Sequence, residues 1–152
     1  MIYLKTDEEV ELLRKSNQLL GMAYGEVAKA IAPGVTTAEL DRIAHDFICD
    51  HGGVPSCLGY EGYPATLCTS VNCEIVHGIP SKDVVLKDGD IVSVDGCVLL
   101  NGFHADSAYT FPVGNVSDDV MRLMKTTKEC LYLGIEQAVT GHRLGDISFA
   151  IQ

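Results

Sequence analysis

Apolar positions recur with a helical period over the first fifty residues. Thr6, followed three positions later by Glu9, has the spacing of a capping box, and the mixed apolar text of residues 10–31 predicts a helix that ends before Pro33-Gly34. A second start at Thr36 precedes apolar residues spaced i, i+3, i+4, i+7 and i+8, namely Leu40, Ile43, Ala44, Phe47 and Ile48. Two helices are therefore predicted, the second ending at Gly52-Gly53.

The pattern changes after the second helix. From Pro55 to Phe111 the chain consists of short β-favouring runs broken by Gly, Pro and Asn, which is typical of strands and hairpins. Ser117 then begins a third helix, predicted from Asp118 to about Thr140, whose N-terminal aspartates suit the helix dipole. Helices at both ends of a strand-rich segment predict an α+β fold.

The C-terminal residues form an apolar helical stripe, Leu144, Ile147 and Ile151, that reaches Gln152 with no residue that would end a helix. The succession of helix, Pro33-Gly34 and Glu39-Leu40 recurs faintly as helix, Thr140-Gly141 and Asp146-Ile147. We therefore expect a second copy of the same fold unit to begin at this point.

Composition narrows the class of protein. The chain has 152 residues, 11 of them basic and 21 acidic, for a formal net charge of −10. The basic residues form no cluster of the kind that binds a phosphate backbone. The N-terminus lacks a signal peptide, and no apolar run approaches the roughly 18 residues of a membrane span. We expect one cytoplasmic globular domain with no nucleic-acid and no membrane partner.

Six cysteines occur without CxxC spacing, which indicates reduced thiols and neither a disulfide framework nor a zinc knuckle. No cysteine has sequence neighbours that mark it as a nucleophile. We therefore expect most of them to be small core residues.

Asp95 and Asp106 are acidic residues within an apolar segment whose residues favour β-strands. Between them, Asn101-Gly102 is the dipeptide most favoured for a two-residue type I′ turn, which fixes the register of a hairpin. Counting outward from the turn places Cys97 opposite Asp106 and Asp95 opposite Ala108. The aspartates then share one face as diagonal neighbours, with Cα atoms about 7–8 Å apart.

At that separation two carboxylates can share a divalent cation, with oxygen–metal bonds of about 2.0–2.2 Å. Without a cation they repel, and at least one tends to keep its proton. A solvated sheet face that carries two aspartates and no ligand is the alternative. His104 lies on the same face by parity, and we expect it to be a hydrogen-bonded neighbour and not a ligand.

Three segments carry a resemblance to a known family: LGYEGYPATLCTSVNCEIVHGIP from Leu58 to Pro80, then LKDGDIVSVD, then NGFHADSAYTFPVG. In their order and spacing the chain closely resembles the bacterial type (type I) of methionine aminopeptidase over essentially its whole length. Aminopeptidase P and creatinase share the aspartate pair, but the VHGIP segment favours the methionine enzymes. The resemblance implies the pita-bread fold, with residues 1–152 forming its N-terminal half, an antiparallel sheet with helices on one face.

The resemblance also implies an activity, the removal of the N-terminal (initiator) methionine from peptides or nascent proteins by two divalent ions of the Co, Mn, Fe or Zn class. Asp95 matches an aspartate that chelates one ion, Asp106 matches one that bridges both, and His77 matches a catalytic histidine that hydrogen-bonds the substrate. Residues that match the surroundings of the methionine pocket are Cys57, Tyr60, Tyr63 and Cys68, with plain core positions as the alternative.

In that family a second half supplies a histidine and two glutamates to the metals, and this chain has no counterpart of them. We therefore expect the isolated chain to bind metal weakly or not at all and to have little aminopeptidase activity. Uncovered apolar faces are expected to drive self-association. The alternative function is a non-catalytic pita-bread binding module that has lost its second set of metal ligands.

Overall fold

The computed structural model describes residues 2–152, which divide into two compact units, residues 2–115 and 116–152. The first unit contains two helices, four antiparallel strands and a short 3₁₀ turn, Tyr60–Gly62; the second contains two helices. In chain order the elements are α1 (Asp7–Ala30), α2 (Thr37–Asp50), β1 (Val54–Pro55), β2 (Leu67–Val71), β3 (Ile91–Leu100), β4 (Phe103–Pro112), α3 (Asp118–Glu136) and α4 (Leu144–Ile151).

The predicted helix starts are confirmed. The backbone N–H of Glu9 donates to the Thr6 hydroxyl at 3.3 Å, and the Thr6 N–H donates to the Glu9 carboxylate at 2.9 Å, which completes the capping box of α1. The Thr36 hydroxyl caps α2 in the same position by accepting from the Glu39 N–H at 3.2 Å. Each cap satisfies a backbone donor that the first turn of a helix leaves unpaired.

β3 is the central strand of the sheet. It pairs with β4 along its whole length, from Ile91 opposite Pro112 to Leu100 opposite Phe103. Its other edge is shared by β2, which pairs with Val92 to Gly96, and by the short β1. The turn residues Asn101 and Gly102 have φ values of 52° and 82°, as a type I′ turn requires, so the hairpin register predicted from this dipeptide is confirmed.

The two faces of the sheet have different surroundings. Successive side chains of a strand point to opposite faces, and Val92, Val94 and Val98 of β3 are completely buried on the face that α1 and α2 cover. Close packing at the α2–β1 corner requires a glycine, because a Cβ at Gly53 would lie 2.7 Å from the Leu19 side chain. The opposite face carries the polar residues of the hairpin. The predicted arrangement, an antiparallel sheet with helices on one face, is therefore confirmed.

The second unit is a pair of helices. The Ser117 hydroxyl caps α3 by accepting from the Val120 N–H, as predicted. The helix ends at Glu136 and not near Thr140, because the N–H groups of Gln137 and Ala138 bond three residues back and tighten the last turn. A Cβ at Gly134 would lie 2.8 Å from the Ile151 side chain, so this glycine allows α4 to pack closely on α3.

Many apolar side chains of this unit are exposed, among them Leu123, Leu131, Leu133, Ile135, Leu144 and Phe149. In neither unit, over residues 2–152, is any helix both long enough and apolar enough to cross a lipid bilayer.

Candidate functional site

The hairpin places the two aspartates on the face of the sheet that the helices leave open. Cys97 is paired with Asp106, and Asp95 with Ala108, so Asp95 and Asp106 are diagonal neighbours, as predicted. The next pair on this face, Ser93 and Thr110, is joined through its hydroxyl groups at 2.8 Å. Asp95 is half-buried and Asp106 is exposed.

Asp95 interacts electrostatically with both of the other predicted catalytic and metal-binding residues. Burial raises the pKa of its carboxyl above the ordinary value, and the negative charge of Asp106 raises it further. Two weaker influences, His77 and the backbone N–H of Gly96, lower the pKa of Asp95. Asp95, Asp106 and His77 therefore lie close enough together for their charges to act on one site, and a cation there would relieve the repulsion between the carboxylates.

His77 lies in the loop between β2 and β3 and has a φ of 59°, a left-handed conformation that non-glycine residues seldom adopt. The following residue holds it there. Gly78 accepts a hydrogen bond from the Thr69 N–H at 2.8 Å and donates its own N–H to the Ser70 hydroxyl at 3.1 Å. A Cβ at Gly78 would come within 2.9 Å of the Ser70 Cα, so only glycine allows this approach. Strand β2 thus fixes the histidine loop against the sheet.

The two predicted pocket tyrosines have different surroundings. The Tyr63 hydroxyl donates to the carbonyl oxygens of Leu67 at 3.0 Å and Gly78 at 3.3 Å, and burial raises the pKa of Tyr63. Tyr63 therefore braces the loop that carries His77. The Tyr60 side chain, in the 3₁₀ turn, is 68% exposed.

Three cysteines border the aspartate pair. Cys68 of β2 is buried and lies directly opposite Asp95 in the β2–β3 register. Burial raises the pKa of the Cys97 thiol, and the neighbouring Cys57 and Asp106 raise it further. The predicted pocket residues Cys57 and Cys68 are thus brought to the aspartates, and they are joined by Cys97, which the sequence interpretation did not include. The hairpin register, which sets Cys97 opposite Asp106, was the signal that could have identified it.

The expectation that most cysteines are core residues is wrong. Only Cys68 is buried; Cys49 and Cys73 are exposed, and the other three are half-buried. His104 forms a hydrogen bond, as expected, since its Nδ1 lies 3.0 Å from the Ser56 hydroxyl; that it is not a metal ligand stays a prediction.

The carboxylate oxygens of Asp95 and Asp106 are of a type that binds divalent ions, but they are too few to enclose one. Carboxylate oxygens bind hard and borderline divalent cations, and the like-charge pair at Asp95 and Asp106 is the kind of arrangement that a cation stabilises. Within residues 2–152, however, no three His, Cys, Asp or Glu side chains converge in a geometry that would enclose an ion. The described residues therefore offer a pair of carboxylates and no complete set of metal ligands.

Comparisons with known proteins give consistent matches. The sequence profile of metallopeptidase family M24 matches residues 11–152. The methionine aminopeptidase of Clostridium acetobutylicum and methionine aminopeptidase 1 of Bacillus subtilis are each 49% identical to the chain over 152 residues, and the chain spans 61% of the length of each. The predicted resemblance is thus confirmed.

Solved structures give the same result for the fold. The methionine aminopeptidase of Rickettsia prowazekii matches all of this chain with a TM-score of 0.96 at 37% identity, and the chain covers 61% of it. An aminopeptidase P variant from Escherichia coli matches with a TM-score of 0.82 at 20% identity, which indicates a shared fold alone. The predicted pita-bread fold is therefore confirmed.

Proposed function

Because the chain belongs to metallopeptidase family M24, we propose that it is part of a methionine aminopeptidase, which removes the N-terminal methionine from peptides and nascent proteins in the cytoplasm. The observation that carries the proposal is the diagonal pair of Asp95 and Asp106 on the open sheet face, with His77 acting on Asp95. The chain spans about three fifths of the length of the curated relatives it matches, so this activity is proposed for the whole protein.

In this proposal Asp95 and Asp106 are the residues that would hold divalent ions of the Co, Mn, Fe or Zn class. Bound ions would supply Lewis acidity, which polarises the scissile carbonyl and makes water a stronger nucleophile. His77 donates a hydrogen bond to the substrate peptide next to the scissile bond. Its loop is held by the hydrogen bonds of Gly78 and Tyr63, so the backbone that carries the imidazole is in place before the substrate binds.

The thiols next to the aspartates are an argument for a pocket that binds the methionine side chain at this site. Cys57 and Cys68 both border the pair, and sulfur makes soft, polarisable contacts that suit a thioether. We assign Tyr63 to the support of the His77 loop, because it forms two hydrogen bonds there. We assign Tyr60 to the rim of the proposed methionine pocket, because its side chain is exposed.

Two carboxylates without a nitrogen ligand make a weak and unselective cation site. We therefore expect the 152-residue chain alone to bind Mn²⁺ weakly and to release little or no methionine from a Met-Gly-type peptide. The test is a calorimetric titration with Mn²⁺, combined with a methionine-release assay. The variants are Asp95→Ala and Asp106→Ala, and Asp83→Ala, which removes an exposed carboxylate of a loop, is the matched control.

Loss of Mn²⁺ binding in Asp95→Ala and Asp106→Ala, with binding retained in Asp83→Ala, supports the proposed site. Binding that all three variants retain contradicts it. If the unchanged chain binds no Mn²⁺, the same titration on the whole protein decides: binding there supports the enzyme, and its absence supports the alternative, a binding module of the same fold without the chemistry. Substantial methionine release by the 152-residue chain would show that these residues need no further metal ligands.

A further inference from the structure

Helix α2 carries a hydrogen-bonded row of side chains that the proposed function does not use. The Sγ atom of Cys49 lies 3.7 Å from Nε2 of His45, one helical turn earlier, and Nδ1 of His45 lies 3.0 Å from the Thr66 hydroxyl. Cys49 is exposed, so small molecules in solution can reach it, whereas Thr66 is only 1% exposed. A thiol, an imidazole and a buried hydroxyl thus follow one another from the surface inward.

This order matches the general arrangement of an activated nucleophile, in which a base contacts the nucleophile and a third group orients the base. When Nδ1–H of His45 donates to Thr66, Nε2 carries the lone pair and faces the Cys49 thiol, so it can accept the thiol proton. Thr66 is fixed because it directly precedes β2 and is almost fully enclosed. Thr66 therefore holds the imidazole in place, and the Nδ1–H tautomer is the one that proton transfer from Cys49 requires.

Asp41, one turn before His45 in α2, is a carboxylate near the imidazole. Its carboxylate is held in place by the Leu67 N–H, which donates to it at 2.7 Å. The two residues interact, because the charge of His45 lowers the pKa of Asp41 against a larger increase caused by burial.

We propose that Cys49 is a site of thiol–disulfide exchange with small disulfides, with His45 as its proton acceptor. The Cys49 proton moves to Nε2 of His45, and the thiolate sulfur attacks one sulfur of the small disulfide. The bond between the two sulfurs of the small molecule breaks as the new bond to Cys49 forms. The departing sulfur takes the electron pair and then the proton from His45, so Cys49 is oxidised to a mixed disulfide while half of the small molecule is reduced to a thiol.

His45 is needed because the position of Cys49 is otherwise unfavourable for a thiolate. Cys49 lies in the last turn of α2, where the helix dipole presents its negative end, and Asp50 follows directly. Without the imidazole, the thiol should react more slowly than an ordinary exposed cysteine. The site contains none of Asp95, Asp106 and His77, so its test does not depend on the proposed peptidase function.

The experiment compares Cys49 with Cys73, a second exposed cysteine in the same chain. The probe is 2-hydroxyethyl disulfide, which is uncharged and so insensitive to the net charge of −10. Mixed disulfides are trapped with N-ethylmaleimide after increasing times and quantified by peptide mass spectrometry. We expect Cys49 to react about tenfold faster than Cys73 at neutral pH, since thiolate formation limits the exchange.

Two substitutions test the role of each partner. His45→Gln should lower the Cys49 rate to that of Cys73 or below it, while the Cys73 rate stays unchanged. Thr66→Val should also slow Cys49, whereas Thr66→Ser, which keeps the hydroxyl, should preserve its rate. Rates of Cys49 and Cys73 within twofold of each other in the unchanged chain overturn the proposal. An unchanged Cys49 rate in His45→Gln also overturns it, and if that variant fails to fold, equal rates in Thr66→Val and Thr66→Ser do so.

Discussion

Asp106 lies diagonally across the β3–β4 hairpin from Asp95, and its charge is one of the causes that raise the pKa of Asp95. The folded chain therefore contains a carboxylate that is harder to ionise than in the unfolded chain. At neutral pH, in the absence of a cation, this pair costs folding free energy.

Asp95→Asn should therefore stabilise the metal-free chain at pH 7, by about 0.2–1 kcal/mol, which is the usual size of an interaction between side chains on neighbouring strands. The folded state binds the Asp95 proton more tightly than the unfolded state, so wild-type stability falls as pH rises from the ordinary value of 3.8 through the raised one. Below pH 3.8 the advantage of the variant should disappear. Urea unfolding with a chelator present, at several pH values, measures this.

Asp83→Asn is the matched control for that experiment, because it removes one exposed carboxylate outside the hairpin. Its stability should follow the wild type across the pH range. Equal stability of Asp95→Asn and wild type at pH 7 would mean that burial and the charge of Asp106 do not raise the pKa of Asp95.

His77→Gly should be more stable than His77→Ala by about 1 kcal/mol, because the left-handed conformation at this position favours a residue without a Cβ. Both variants lack the imidazole, so their difference isolates the backbone. Chemical denaturation of the two variants provides the measurement. If alanine is equally stable at position 77, the loop does not hold this residue in its left-handed conformation.

Tyr24→Phe should destabilise the first unit by about 1–2 kcal/mol, which is the order of magnitude for the hydrogen bonds that the Tyr24 hydroxyl would lose. The Tyr24 hydroxyl donates to Ser107, and at 3.5 Å to the Gly96 carbonyl, and so joins α1 to both strands of the hairpin. Tyr3→Phe, at a side chain that is 77% exposed, is the control and should have no effect on urea unfolding. A similar small effect for both variants would argue against this link.

The exposed apolar side chains of α3 and α4 should make the chain self-associate, as the sequence predicted. Light scattering over a concentration series should give an average mass that rises with concentration. Leu123→Lys, at a side chain that is 62% exposed, should reduce this rise. Thr126→Lys adds the same charge to the same helix without removing apolar surface, and it should reduce the rise less. A constant monomer mass in the unchanged chain would contradict the prediction.

Local sequence signals predicted the features that depend only on residues close together in the sequence. The capping residues Thr6, Thr36 and Ser117 start their helices as expected, since a cap acts within three residues. Asn101-Gly102 fixed the register of ten paired residues on each strand, and so the shared face of Asp95 and Asp106, because a two-residue turn leaves the hairpin one register.

Features that depend on distant contacts were not predictable in this way. The left-handed conformation of His77 depends on hydrogen bonds between Gly78 and β2, which no local pattern indicates. The row of Cys49, His45 and Thr66 joins a helix to a residue outside it, so a search for reactive cysteines by sequence neighbours misses it. Family roles of Cys57, Tyr60, Tyr63 and Cys68 came from resemblance, and their function stays a prediction.

The strict alternation of buried and open positions along β3 makes the β3–β4 hairpin intolerant of changes in length. Adding or deleting one residue between Asp95 and the Asn101-Gly102 turn, with the turn-defined pairing kept, would rotate Asp95 into the valine layer beneath α1 and α2 and bring Val94 or Gly96 to the open face. Substitutions can therefore tune this site one side chain at a time, whereas insertions and deletions here would exchange the chemistry of the two faces in a single step.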